Sequence, residues 1–177
     1  MITVVTGGIK SGKSLWAQKF GESICGSRAF IATALALDEE IQQRIKKHQF
    51  DRADKWTTWE EALDIVPLLE DLTAKFDVVL LDCLTMWVSN LLTVYNLSAE
   101  QAKQKSDDLT ACLSGKNSQI ILVTNEVGMG IIPNDQLSRS FQSLLGRLNR
   151  EVAYVADDLY LMVSGIPIEV KRSNLNS

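Results

Sequence analysis

The stretch Ile2-Thr3-Val4-Val5-Thr6-Gly7-Gly8-Ile9-Lys10-Ser11-Gly12-Lys13-Ser14 decides the fold of this 177-residue chain. Residues 2–6 are a β-branched run that reads as a buried strand, and residues 13–24 carry Leu15, Ala17 and Phe20 at helical spacing. Between them, residues 7–14 match G-x-x-x-x-G-K-[ST] at the strand-to-helix junction the pattern requires. Gly7, Gly8 and Gly12 let the backbone turn, so that the N–H groups of Ile9, Lys10, Ser11 and their neighbours can point inward at phosphate oxygens. The helix that follows adds its positive N-terminal end. In this arrangement Lys13 reaches the β- and γ-phosphates of ATP or GTP, and the Ser14 hydroxyl ligates Mg²⁺.

Working outward, residues 29–33, 77–81 and 119–124 are almost uninterrupted apolar runs, as in strands buried on both faces. Residues 56–58, 159–163 and 168–170 read as shorter strands. Helices are expected over 37–49, 84–94, 98–113 and 136–153. A further one is expected over the stretch WEEALDIVPLLEDL, with Thr58 and Glu61 forming a capping box and Pro67 kinking or dividing it. Strands alternating with helices predict an α/β chain of the P-loop NTPase type, a three-layer fold around a mostly parallel sheet. Its ligands belong at the carboxyl edge of the strands, where residues 7–13, the segment from Asp82, and residues 125–133 should gather. No repeat or linker divides the chain, so residues 1–172 are expected to form a single domain, followed by a polar tail over 173–177.

Composition narrows the partners. With 18 basic and 22 acidic residues and no basic run longer than Lys46-Lys47, the electrostatic footprint of a nucleic-acid binder is missing. Cys25, Cys83 and Cys112 are odd in number and widely spaced, which fits a reducing cytoplasm better than a disulfide framework or a zinc site. Neither a signal peptide nor an apolar run of membrane-spanning length is legible. Small molecules are the expected partners.

Several residues carry two readings. Asp82, ending an apolar strand, either holds Mg²⁺ or caps the helix that starts at Leu84. His48 is the one histidine and is spaced by four from Arg44 and Arg52. It is either a solvated side chain or a nucleophile whose imidazole attacks phosphorus. Trp56 and Trp59 either pack or stack on a planar ligand, and Glu60 either accepts from a nucleotide or sits in a helix's first turn. The glycine-rich loop over 125–133 reads as a lid or wall, with Glu126 a possible acid, base or metal contact. Arg139 and Arg147 are either phosphate clamps or solvated helix residues.

Taken with TGGIKSGKS, IAT at residues 31–33, RIKKHQFDR around His48, W-x-T-x-E over 56–60, VTNEVGMGIIP and a final VSG, the chain resembles the bifunctional adenosylcobinamide kinase/adenosylcobinamide-phosphate guanylyltransferase family of cobalamin biosynthesis. The resemblance implies phosphorylation of the cobinamide aminopropanol hydroxyl, then transfer of GMP from GTP onto that phosphate. It implies a guanylyl-histidine at His48, and it places Thr33, Gln49, Phe50, Asp51, Arg52, Glu60 and Asp82 around the guanine nucleotide. A homo-oligomer, in the form of a trimer, is implied as well. Three positions depart from the family pattern: Lys10 stands for an arginine, Lys47 for a second histidine of some members, and Asp82 where Glu also occurs. Lys10 keeps the charge but loses the planar fork. Two alternatives stay open at this point, a P-loop kinase of another small metabolite without a covalent intermediate, and a nucleotide switch that binds without catalysing.

Overall fold

Strand β1 (Ile2–Gly7) is buried along nearly its whole length and pairs in parallel with β5 (Gln119–Val123) on one side and β6 (Asp158–Val163) on the other. These belong to a computed structural model that describes residues 1–35, 55–115 and 117–173. The helix expected over 37–49, with His48, Gln49, Phe50, Asp51 and Arg52, lies outside the described residues, as does the tail beyond Ser173.

The remaining strands are β2 (Arg28–Ala32), β3 (Thr57–Glu60), β4 (Val78–Asp82) and β7 (Ile166–Lys171). The seven strands form one sheet in the order β3-β2-β4-β5-β1-β6-β7, parallel except for the β6–β7 hairpin. Helices cover both faces because alternate residues of the central strands point to opposite sides. Phe30, Leu80, Ile121 and Val123 pack under α1 (Lys13–Ser23), while Ile31, Leu81, Ile120 and Leu122 face α2 (Ile65–Thr73), α3 (Leu84–Thr93), α4 (Ala99–Cys112) and α5 (Gln136–Val155). This is the three-layer, mostly parallel arrangement the apolar runs predict. Among the described residues no helix is long and apolar enough to cross a membrane.

One element differs from expectation. Trp59 and Glu60 belong to strand β3, and the helix begins only at Ile65. Glu61 is no partner of Thr58 in a capping box. Its carboxylate instead accepts the N–H groups of Leu63 and Asp64 at 2.8 and 2.9 Å, turning the chain into α2. Pro67 is the third residue of that helix, where its missing N–H has no intrahelical partner, so it neither kinks nor divides it. Parallel pairing with β2 supplies the ladder that a short, half-exposed strand lacks on its own, and this overrides the helical pattern of WEEAL. By contrast α4 starts at the expected place, with Ser98 and Gln101 exchanging both hydrogen bonds of a capping box.

Candidate nucleotide site

The phosphate loop leaves β1 at Gly7 (φ 144°), passes Lys10 in the left-handed region (φ 58°) and enters α1 through Gly12 (φ 94°). A Cβ on Gly7 would lie 2.5 Å from the Met162 carbonyl oxygen, so only glycine fits where the loop departs. No side chain caps the start of α1, and no acidic residue occupies its first turn. Its first N–H groups are therefore available to an anion. Lys13 is buried, and its Nζ donates to the Gly8 carbonyl at 2.6 Å, drawn across its own loop. The Ser11 hydroxyl is enclosed without a hydrogen-bond partner among the described residues. Gly8, Ile9 and Lys10 are exposed, and Ser14 is half-buried on the first turn of α1.

Along the carboxyl edge, Glu60, Ala32, Asp82, Val123 and Val5 form one register row across β3, β2, β4, β5 and β1. Adjacent strands lie about 4.8 Å apart, so Asp82 stands roughly 10 Å and Glu60 roughly 19 Å from β1 along that row. Among the described residues, Glu60 thus occupies the far end of the edge on which the phosphate loop sits, and Asp82 lies between the two. Asp82 is half-buried and does not cap α3. That task falls to Cys83, whose Sγ accepts from Met86 N. Burial, reinforced by the Asp82 charge, pushes the Cys83 thiol up to about 12.

Thr33 is fully buried at the end of β2. Its hydroxyl donates to the Cys83 carbonyl and accepts the Cys83 N–H, both at 2.8 Å, while its own N–H meets the Asp82 carbonyl at 3.1 Å. Asn90 of α3 donates to the Thr33 carbonyl at 2.7 Å. The Thr33 side chain is thereby committed to holding the backbone that follows Asp82. The loop after β5 is fixed in a similar way. Its Glu126 N–H donates to the Gly7 carbonyl, the Asn125 N–H donates to Thr85 Oγ1, and Asn149 of α5 meets both Thr124 Oγ1 and the Asn125 carbonyl. The Glu126 carboxylate accepts the Gly128 N–H.

Two arginines are engaged with partners outside the phosphate loop. Arg139 donates to the Pro133 and Asn134 carbonyls, tying the loop to the start of α5. Arg147 pairs with Asp107 of α4 and with Glu151 one turn along α5, joining two helices. The tryptophans divide between the faces, Trp56 edge-on to Phe30 and Trp59 edge-on to Phe76, so both pack. Sequence reading missed Thr85, Asn90 and Asn149. The one available signal was an amide within the apolar stretch LTMWVSNLL, since a polar residue on the buried face of a helix has a partner to meet.

A family model described as cobinamide kinase / cobinamide phosphate guanyltransferase matches residues 3–170. The chain belongs to this family. The bifunctional adenosylcobalamin biosynthesis protein CobU of Escherichia coli K12 is 36% identical over 185 residues, covering 97% of this chain and 100% of its own. The corresponding protein CobP of Pseudomonas aeruginosa is 33% identical, covering 99% and 100%. Membership of the cobinamide kinase / guanylyltransferase family makes the chain an enzyme and sets aside the binding-only switch. Among solved structures, a KaiC-like protein of Pyrococcus horikoshii shares the fold with a TM-score of 0.54 at 12% identity, covering 90% of this chain and 69% of its own. The flagellar accessory protein FlaH of Methanocaldococcus jannaschii does so at 0.51 and 16%, covering 97% and 78%.

Proposed function

We propose that this chain phosphorylates the aminopropanol hydroxyl of adenosylcobinamide and then transfers GMP from GTP to the phosphate it has made. The observation that carries the reading is the phosphate loop at the carboxyl edge of central β1, with buried Lys13 at the mouth of an uncapped helix, in a chain of this family. In the first reaction the substrate hydroxyl oxygen bonds to the γ-phosphorus, the bond to the β–γ bridging oxygen breaks, and the hydroxyl proton is released. Lys13 exchanges the Gly8 carbonyl for phosphate oxygens, and the N–H groups of the loop and of α1 stabilise the charge developing on the transferred group.

In the second reaction His48 attacks the α-phosphorus of GTP and pyrophosphate leaves. The phosphate oxygen of cobinamide phosphate then displaces the histidine, giving adenosylcobinamide-GDP. Glu60, with Gln49, Phe50, Asp51 and Arg52, is our assignment for the guanine end, while Asp82 lies between it and the phosphate loop and Thr33 holds the backbone that follows Asp82. The roughly 19 Å between β1 and Glu60 supports separate ends of one edge for phosphate and guanine. The Ser14 hydroxyl and the Asp82 carboxylate are hard oxygen donors suited to Mg²⁺, which takes one or two protein oxygens beside substrate phosphates. When bound, the ion offsets the triphosphate charge.

A homo-oligomer, which we read as a trimer in the cytoplasm, is supported by β7. This edge strand is exposed throughout and bears Ile166, Ile168 and Val170 in alternation. The direct test of the kinase step is transfer of label from γ-labelled ATP or GTP to adenosylcobinamide. Wild type should form labelled product, and Lys13→Ala should lose about a hundredfold or more in rate. Wild type unable to transfer label would remove the kinase half of the proposal.

A further inference from the structure

The β6–β7 hairpin touches the phosphate loop at both of its ends. At the start, Met162 of β6 pairs with Gly7, whose missing Cβ admits the Met162 carbonyl. At the finish, Ser164 (φ 50°) and Gly165 (φ 86°) form the two-residue turn between the strands, and the Gly165 N–H donates to the Ser11 carbonyl at 2.9 Å. Two consecutive left-handed residues are the signature of the tight hairpin turn whose twist suits antiparallel strands. A Cβ on Gly12 would lie 3.3 Å from the Gly165 Cα, so turn and loop are in close contact there.

The Ser11 carbonyl and the Gly12 N–H belong to one planar peptide unit, and in a trans unit the two point in opposite directions. With the carbonyl held by the hairpin, the Gly12 N–H is directed away from the hairpin. We infer that the Ser164–Gly165 turn is a positioning element of the phosphate site. By anchoring the Ser11 carbonyl, it aims the Gly12 N–H at the phosphates of the nucleoside triphosphate. Gly165 touches no substrate. It acts through the Ser11–Gly12 peptide, and a free loop would have to give up rotation of that peptide each time a phosphate bound. The inference rests on the phosphate-loop reading above and assigns a task to a segment some 150 residues distant in sequence.

The experiment measures the dissociation constants of a non-hydrolysable GTP analogue and of ATP, together with thermal unfolding, for wild type, Gly165→Pro and Gly165→Asn. Proline removes the donor and cannot adopt φ 86°. Asparagine keeps the donor and tolerates positive φ. Gly165→Pro should weaken both nucleotides roughly tenfold, the effect of one lost hydrogen bond, and Gly165→Asn should restore the affinity. A purely structural turn would lower the unfolding temperature of the proline variant and leave its affinity for nucleotide as in wild type, which would overturn the inference. Equal weakening by asparagine would do the same.

Amide exchange of the wild-type protein provides a second reading that needs no variant. The Gly165 N–H should be protected without nucleotide and slower still with it, and an unprotected Gly165 amide contradicts the proposal even if the proline variant fails to fold. Wild type that binds neither nucleotide would instead bring down the phosphate-loop reading itself.

Discussion

Replacing Thr33 by valine separates a residue that holds the site from one that touches the nucleotide. Valine matches threonine in shape but carries no hydroxyl. The hydroxyl it removes is fully buried, donating to the Cys83 carbonyl and accepting the Cys83 N–H at 2.8 Å each. The Cys83 N–H would lose this partner, while the Cys83 carbonyl keeps the Trp87 N–H at 3.1 Å. Leaving a buried donor unsatisfied costs about 1–3 kcal/mol, so the substitution should cost about 1–3 kcal/mol. For a domain of this length, that corresponds to a fall in unfolding temperature of roughly 3–10 °C. Equilibrium urea unfolding measures the free energy, and a midpoint shift at unchanged slope marks a change in stability rather than in compactness. Thr33→Ser, which keeps the hydroxyl, should lose far less. A valine variant within about 0.5 kcal/mol of wild type, but with weakened GTP binding, would refute this account and return Thr33 to direct nucleotide contact.

Three further outcomes follow from the packing and the charges. Gly21→Ala would set a Cβ 2.5 Å from Cη2 of the buried Trp56 ring, so urea unfolding should show a loss of about 1–3 kcal/mol from overpacking. A thiol reagent at neutral pH should modify exposed Cys25 in the native protein and reach buried Cys112 only on unfolding, as mass mapping would show. Because burial raises the Cys83 thiol to about 12, the folded chain keeps a proton that the unfolded chain releases from about pH 9 upward. Its contribution to stability is therefore complete below pH 9 and declines by about 1.4 kcal/mol per pH unit until pH 12. Unfolding at pH 8 and pH 10.5 should show this decline in wild type and not in Cys83→Ala, after subtraction of the titrations the two share.

The central sheet was legible because strands buried on both faces leave a plain mark. VVLLD and QIILV admit no other reading between helical segments, and the glycine pattern fixes what β1 leads into. The start of α2 was not, because β3 owes its pairing to β2, which lies about 25 residues earlier and supplies its ladder from outside the local sequence. Asp82 and Lys13 announced themselves by position. Thr33 was placed near the site, yet its bonds to Cys83 are a matter of strand ends meeting in space. The same holds for Asn149, Thr85 and the Gly165 contact with Ser11, each joining segments far apart in the chain.

The claim that most distinguishes this enzyme from an ordinary P-loop kinase is the covalent guanylyl intermediate at His48. Wild type and His48→Asn should be incubated with Mg²⁺ and α-labelled GTP, denatured, and read by intact mass. The account predicts an acid-labile GMP adduct on wild type and none on the variant, with kinase activity persisting in both. No adduct on wild type, or an adduct that survives the substitution, would contradict it.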